Sequence, residues 1–350
     1  MSGTSLDGID LAEIDFNVSK YGEWNYTILK SETIKYPNNW KSYLQNAISK
    51  SNDQVAKLNR DYTQFLAKII NEFIVSNHIL NLDAVCSHGH TIWHQPKKGF
   101  TLQIGNLPEI ASMINQNVVC DFRVQDLDLG GNGAPLVPIG DRLLFNEFDY
   151  CLNLGGFANI SFEEKKGNKN ELLRIAYDVC PVNIALNYLA EKLGHSYDHN
   201  GDIAKKGIVS EELLYKLNEL SFYKLSPPKS LGLEWVKKHV FPLLEKSNIS
   251  VIDQISTVTE HIAFQLVNQF KVDSKILITG GGTFNLFLLE RMNSLKKINL
   301  VLPSSKLIEY KEALIFGLLG VLKLRNENNC LKSVTGAIKD HSSGEIFRIK

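Results

Sequence analysis

Short apolar runs of strand length alternate along this chain with longer stretches of helical period, and that alternation restricts the fold to the α/β class. From Asn52 to Ser76 the apolar residues Val55, Leu58, Tyr62, Phe65, Leu66, Ile69, Ile70 and Phe73 recur at i, i+3, i+4 and i+7. This spacing predicts a long amphipathic helix with Ser51 or Asn52 as its cap. Four strand-like runs stop at small or polar residues. They are Leu82 to Cys86 before Ser87-His88-Gly89-His90, Val118 to Cys120 before Asp121-Phe122-Arg123, Tyr150 to Leu154 before Gly155-Gly156, and Lys275 to Thr279 before Gly280-Gly281-Gly282. A predicted helix, Gln254 to Phe270, precedes the last of them. Ligands of open α/β sheets bind beyond the carboxyl ends of the strands, so a site is expected at these endings.

A chain of 350 residues suits two domains of moderate size. The expected division is 1–132 and 133–350, with Gly130 to Pro135 as the hinge. Lys+Arg and Asp+Glu both number 38, which leaves no basic surplus for nucleic acid. Hydrophobic residues at 44% and charged residues at 22% exclude a disordered chain. The longest apolar run, near Ala313 to Leu322, is far short of the roughly 20 residues of a membrane helix. No basic-then-apolar leader opens the sequence. A cytoplasmic protein without membrane or nucleic-acid partners is expected. The cysteines, Cys86, Cys120, Cys151, Cys180 and Cys330, are odd in number and form no CxxC pair. Buried thiols are expected rather than a disulfide framework or a zinc knuckle.

Two glycine-rich segments run straight into strand-like residues. Gly3-Thr4-Ser5-Leu6-Asp7-Gly8 leads into Ile9 to Phe16, and Asn153-Leu154-Gly155-Gly156-Phe157-Ala158-Asn159 into Ile160-Ser161-Phe162. Both read as hairpins, one near the start of each half. Backbone N–H groups in such turns form an anion-binding concavity, and glycine lets a phosphate come close. A third segment, Ile278 to Asn285, offers backbone on which a base and ribose can lie flat. No GxxxxGK[ST] occurs, so these turns are not a P-loop. His88, His90 and His94 have a zinc-like spacing. No carboxylate or cysteine follows at a suitable distance, and neutral hydrogen bonding is the expectation for them.

The segments Met1 to Asp10, Ser87 to Pro96, Thr101 to Asn106, Asp121 to Arg123, Gly130 to Pro138, Asn153 to Ile160 and Gly280 to Asn285, continuing to Glu312-Ala313, resemble the anhydro-N-acetylmuramic acid kinase family. The resemblance implies the acetate-and-sugar-kinase/actin fold, a two-domain α/β architecture of mixed sheets flanked by helices with ATP between the halves. It implies a reaction in which ATP, water and 1,6-anhydro-N-acetylmuramic acid give N-acetylmuramic acid 6-phosphate and ADP, a step in recycling cell-wall sugar. Asp178 is implied as the catalytic base. Nucleotide binding is implied for Gly3, Thr4, Ser5, Leu6, Asp7, Gly8, Ile9, Asp10, Gly155, Gly156, Asn159, Gly280, Gly281, Gly282 and Asn285. Sugar contacts are implied for His88, Asp121, Arg123 and Glu312, and Mg²⁺ is implied at Asp7, through water. A homodimer is a possible assembly.

The chemistry supports that reading on its own terms. Water can open a 1,6-anhydro bond at the anomeric carbon only if a carboxylate base stands on the far face, as in an inverting glycosidase. If the departing O6 attacks the γ-phosphate, the phosphoryl group replaces the usual acid's proton, and alignment with charge neutralisation does the rest. Asp178 ends an apolar run and precedes a predicted helix, Asn183 to Leu193; capping that helix is its structural alternative. Asp7 either helps hold Mg²⁺ or closes its turn. Asp121 and Arg123 either brace each other or contact substrate, and Glu312 alone would read as surface charge.

Two departures from the family pattern bear on these expectations. Family members carry a strand immediately before the Met1-Ser2-Gly3 motif, in the middle of the first sheet. Its loss would unpair both neighbours, so a truncated start or an internal methionine is expected. Asp178-Val179-Cys180-Pro181-Val182-Asn183 stands where Asp-Thr-Gly-Pro-Gly-Asn is commoner, and His90 where glutamine is commoner. Competing readings are another sugar kinase, a truncated or inactive nucleotide-binding scaffold or sensor, and a zinc hydrolase built on His88 and His90.

Overall fold

The structure, a computed structural model, describes residues 1–3, 6–166 and 171–349. The chain divides into two compact units: unit 1 is Met1–Leu144 with Tyr310–Lys350, and unit 2 is Phe145–Glu309. This differs from the division at 132/133, because residues 133–144 and the C-terminal residues from Tyr310 belong to unit 1.

Unit 1 opens with a long antiparallel hairpin, β1 (Ile9–Val18) and β2 (Trp24–Ile34). Helix α1 (Asn52–Ser76) has the bounds its periodicity predicts. Ser51 caps it in a reciprocal box: its Oγ accepts the Gln54 N–H at 3.4 Å, and Gln54 Oε1 accepts the Ser51 N–H at 3.0 Å. Its apolar stripe, including Val55, Leu58, Tyr62, Leu66, Ile69 and Ile70, is buried, each large side chain contributing about 1.5–3 kcal/mol. Strand β3 (Val85–Ser87) leads to a second hairpin, β4 (His90–Gln95) with β5 (Phe100–Ile104), and β6 (Val118–Cys120) runs parallel to β3. The hairpin β4–β5 carries no strong alternation and was not legible in the sequence.

Unit 2 is built on a mixed sheet. Strands β7 (Tyr150–Leu154), β8 (Phe157–Lys166), β9 (Glu171–Pro181), β10 (Lys275–Thr279) and β11 (Asn299–Val301) lie in the order β11-β10-β7-β8-β9. The pairings β11–β10 and β10–β7 are parallel, and β8 runs antiparallel to both its neighbours, β7 and β9. Helices α2 (Asn183–Glu191) and α3 (Val251–Val267) pack on it through Leu186, Leu189, Ile255, Val258 and Ile262, against Leu152, Leu154, Ile160, Ile276 and Ile278. Helix α3 starts three residues earlier than expected because Ser250 caps it, accepting the Asp253 N–H at 3.1 Å. Helix α4 (Leu286–Leu295) follows β10.

Through α5 (Ser305–Leu324) the chain returns to unit 1, where the last strand, β12 (Glu345–Phe347), pairs antiparallel with β6. Among the described residues the strands of unit 1 form separate sheets, with β1 paired only to β2 and β3 only to β6. A groove of about 350 Å³ lies along the two unpaired edges, lined by Ile9 to Phe16 of β1, Leu82 to Ser87, and Phe316 and Gly317 of α5. At its head Met1 and Asp10 exchange hydrogen bonds, Met1 N–H to Asp10 O at 2.7 Å and Asp10 N–H to Met1 O at 2.8 Å. That is the pattern of an antiparallel pair, and Ser2 adds a parallel bridge to His90.

The segment Gly130 to Pro135 is not a free hinge. Gly131 N–H donates to Asp126 O, Asn132 N–H to Thr335 O, and Gly133 N–H to the Asp126 carboxylate, which holds it within unit 1. Helix α5 lies so near β3 that a Cβ on Gly320 would stand 2.0 Å from Cys86 Sγ. Gly320→Val is therefore expected to lower the urea midpoint of unfolding, equivalent to about 1–3 kcal/mol of overpacking; an unchanged midpoint would show that α5 can shift away from β3.

Candidate functional site

In unit 2 the predicted glycine segments meet. Strands β7 and β10 are parallel neighbours with Thr279 opposite Asn153, so Gly155-Gly156 and Gly280 to Gly282 emerge side by side at their carboxyl ends. Gly280 has φ 84°, and a Cβ there would lie 2.6 Å from Asn153 Oδ1 and 2.8 Å from the Leu154 carbonyl group. Only glycine permits this approach. The start of α2 is stitched to the hairpin turn: Val182 and Ile184 N–H donate to Gly156 O at 2.9 and 3.3 Å, and Asn183 N–H to Gly155 O at 3.3 Å. The turn carbonyls therefore point to the helix start. Asn285, expected to touch nucleotide, caps α4, its Oδ1 accepting the Leu288 N–H at 3.0 Å.

Register builds a polar row across this sheet. Thr279 faces Asn153, Asn153 faces Asn159, and Asn159 faces Asp178. Directly opposed residues share a face, so four polar side chains from four strands line up at one level. Asn159 and Asp178 were singled out in the sequence; Asn153 and Thr279 were not, although a polar residue ending an apolar strand is a readable signal.

Asp178 does not cap α2, whose N-cap is Val182 with no side-chain bond. Its backbone N–H donates to Lys229 O at 3.1 Å, and its Oδ2 accepts the Leu231 N–H at 2.8 Å. Among the described residues Oδ1 takes no hydrogen bond. Burial raises its carboxyl pKa, and the Leu231 bond partly opposes that. The clamp from Lys229 to Leu231 had no sequence signal, because backbone amides serve wherever the chain brings them. The Lys229 ammonium lies over the Phe222 ring at 4.8 Å, and burial lowers its pKa.

In unit 1 the first glycine turn is closed by the Met1–Asp10 pair. Thr4 and Ser5 lie outside the described residues. Leu6 has φ 60°, and its N–H donates to Gly3 O at 3.3 Å; such a conformation is costly for leucine. Gly8 packs against the Ile34 carbonyl, which a Cβ would meet at 2.7 Å. Leu6 and Ile9 are core side chains, so a ligand at this turn meets their backbone only. Asp7 is exposed, and Asp10 accepts the Thr33 hydroxyl at 2.7 Å.

A second polar group of unit 1 joins His88, Arg123 and Glu312. His88 Nδ1 lies 3.0 Å from Gly89 O, so that nitrogen carries the proton and Nε2 accepts the Arg123 Nε–H at 2.9 Å. Arg123 Nη1 donates to Gly133 O at 2.6 Å, and Phe316 packs under both side chains, 4.7 Å from the His88 ring. Burial, then the Arg123 charge, holds His88 well below the usual histidine range. Burial lowers Arg123 to about 10, against the pull of Glu312. Glu312 is solvent-accessible, yet the protein mass around it raises its pKa, with Arg123 opposing.

Asp121 is not the brace of Arg123: among the described residues no ion pair joins them, and His88 with Gly133 O does that work. Asp121 has φ 57°, and burial, with Glu345 and Asp128 adding like charge, raises it to about 6. The three histidines diverge. His90 Nδ1 meets Ser2 Oγ at 2.8 Å within a Ser2–Tyr36–Tyr62 chain, and His94 meets Thr101 at 3.3 Å. Among the described residues they do not converge on one point.

A family model described as anhydro-N-acetylmuramic acid kinase matches residues 1–349. Anhydro-N-acetylmuramic acid kinases of Bacillus cereus and Bacillus thuringiensis subsp. konkukian are 33% and 32% identical to this chain over 378 residues, covering 99% of it and 97% of each relative. A ligand-bound xylulose kinase from Lactobacillus acidophilus superposes with a TM-score of 0.37 at 14% identity, over 63% of this chain and 46% of that one, too loosely to carry weight.

Burial lowers His90 from 6.5 to about 4 in the folded state. Its protonation thus opposes folding, and stability is expected to fall as pH drops from about 6.5 toward 4, by up to about 1.4 kcal/mol per pH unit from this group. Urea unfolding across that range should give a shallower acid limb for His90→Gln; an unchanged limb would place the acid sensitivity elsewhere.

Proposed function

The chain belongs to the anhydro-N-acetylmuramic acid kinase family, and we propose that Asp178 is the base with which it opens the 1,6-anhydro ring of anhydro-N-acetylmuramic acid. The observation that carries this assignment is the state of that carboxyl group. One oxygen is anchored by the Leu231 N–H, the other takes no hydrogen bond among the described residues, and burial has raised its pKa. A raised pKa strengthens a carboxylate as a base.

In the reaction, Asp178 Oδ1 accepts a proton from the water that attacks C1. The C1–O6 bond breaks, O6 forms a bond to the γ-phosphorus of ATP, and ADP departs. No acid need protonate O6, since phosphorus takes the proton's place. The glycine backbones at Gly155-Gly156 and Gly280 to Gly282, with Asn153 and Asn159 beside them, are assigned to the nucleotide. The Gly3 to Gly8 turn is assigned to its phosphates. Asp7, an exposed single carboxylate between Leu6 and Gly8, suits an outer contact to Mg²⁺, which takes one or two carboxylates, keeps several waters and would neutralise phosphate charge. His88 and Arg123 are assigned to the sugar. His88 Nε2 and the Gly133 carbonyl position the Arg123 guanidinium, whose remaining N–H groups can donate to a hydroxyl, and Glu312 offers a hydroxyl acceptor with partial charge compensation from Arg123.

The test is ADP release from MgATP with and without 1,6-anhydro-N-acetylmuramic acid. Asp178→Asn keeps an acceptor for the Leu231 N–H and should remain folded by circular dichroism, while sugar-dependent kcat falls by about 10²–10⁴. Turnover within a few-fold of the unchanged chain would remove Asp178 from the role. In water enriched in oxygen-18, label should enter the C1 hydroxyl and be absent from the 6-phosphate. Label in the phosphate would mean that water attacks phosphorus and the proposed bond order is wrong.

A further inference from the structure

Unit 1 gathers a group of side chains that the kinase chemistry does not use. Asp126, in the short helix Val124–Asp128, is fully buried, as are Cys330 and His341 at 1% and 4% exposure. One ligand atom from each lies within 4.8 Å of the others. Asp126 Oδ1 is 3.1 Å from Cys330 Sγ, 2.7 Å from Thr335 Oγ1 and 3.6 Å from His341 Nε2, while Oδ2 accepts the Gly133 N–H at 2.7 Å. His341 Nδ1 stands 3.1 Å from the Lys339 carbonyl oxygen. A carbonyl can only accept, so Nδ1 carries the ring proton and the neutral ring turns the Nε2 lone pair toward the carboxylate. Among the described residues Nε2 has no hydrogen-bond partner. A buried acceptor facing a carboxylate is costly unless a cation stands between them.

Distance discriminates between the two candidate cations. A proton on Nε2 would draw nitrogen and oxygen to about 2.7–2.9 Å, and 3.6 Å is too long for that bond. Two ligands on one tetrahedral zinc ion, bound at about 2.0–2.3 Å, stand roughly 3.3–3.6 Å apart. The nitrogen–oxygen separation already meets this, the sulfur–oxygen separation of 3.1 Å falls a few tenths of an ångström short of it, and all three ligand atoms lie within 4.8 Å of one another. We propose that Asp126, Cys330 and His341 form a structural Zn²⁺ site, its fourth position taken by the Thr335 hydroxyl or a water.

The donors are the oxygen, sulfur and nitrogen types that zinc accepts together. Binding replaces the Cys330 S–H proton, which leaves to solvent, and the thiolate and carboxylate together neutralise Zn²⁺, so no net charge is buried. The Lys339 carbonyl serves as the outer contact that fixes the imidazole. Through Asp126 the ion would tie the Gly130 to Pro135 segment to the C-terminal residues. That segment includes Gly133, whose carbonyl receives Arg123.

Because the group is buried, metal must be present while the chain folds. The full chain would be refolded from urea with Zn²⁺ alone, desalted and analysed by mass spectrometry for metal, beside Cys330→Ser and His341→Gln. Stoichiometric zinc in the unchanged chain, with affinity at least about tenfold weaker in each variant, is the expected result. Refolding with Co²⁺ should give a thiolate-to-cobalt absorption band that Cys330→Ser lacks. If the folded unchanged chain holds no more zinc than folded His341→Gln, and shows no cobalt band, the proposal fails.

Discussion

The parallel pairing of β10 with β7, at a register that sets Thr279 opposite Asn153, is the constraint from which the chemistry of unit 2 follows. It delivers two glycine segments to one edge of the sheet. The missing side chain at Gly280 is what lets the backbones close, since any Cβ would strike Asn153 and Leu154. The same register carries on through Asn159 to Asp178. One strand-pairing choice therefore fixes the position of the glycine backbones and of the Asp178 carboxylate together. A slip by one residue would turn that row to the opposite face.

Unit 1 depends on a different balance. Arg123 gives up solvent at the end of β6, and that cost is offset by three partners of different kinds: the His88 lone pair, the Gly133 carbonyl and the Phe316 ring. None of them is a full anion. Glu312 acts on Arg123 through its charge, and burial still leaves Arg123 below its usual pKa and Glu312 above its own. Charges left incompletely matched in this way suit binding a polar, uncharged hydroxyl surface better than a closed ion pair would. The fixed tautomer of His88 holds the Arg123 guanidinium in place, its donor on the Gly89 carbonyl and its acceptor on Arg123 Nε–H.

Much of the site was legible in the chain. The long helix, the strands at 118–120, 150–154 and 275–279, and the glycine segments that end two of them carry strong local signals. Apolar period and glycine placement are properties of neighbours in sequence. The clamp on Asp178, the Asn153–Asn159 row and the cap at Asn285 did not, because each depends on which distant backbone arrives beside the residue. The unit boundary differs from the expected one for the same kind of reason. Gly130 to Pro135 has hinge composition, but the buried Asp126 carboxylate and its own backbone carbonyl collect the amides of that segment.

By itself the sequence determined the α/β class, the family, and the small set of residues from which a base and a phosphate cradle must be drawn, since periodicity, glycine and motif order are written locally. Tertiary structure alone decided which polar atoms face one another: that His88 rather than Asp121 holds Arg123, and that Asp178 is anchored by the amide of Leu231, far along the chain. It also set Cys330 and His341 against Asp126, which stands in the first half of the sequence. Hydrogen bonding and desolvation act over a few ångströms of space, and nothing in residue order encodes that distance until the chain has packed.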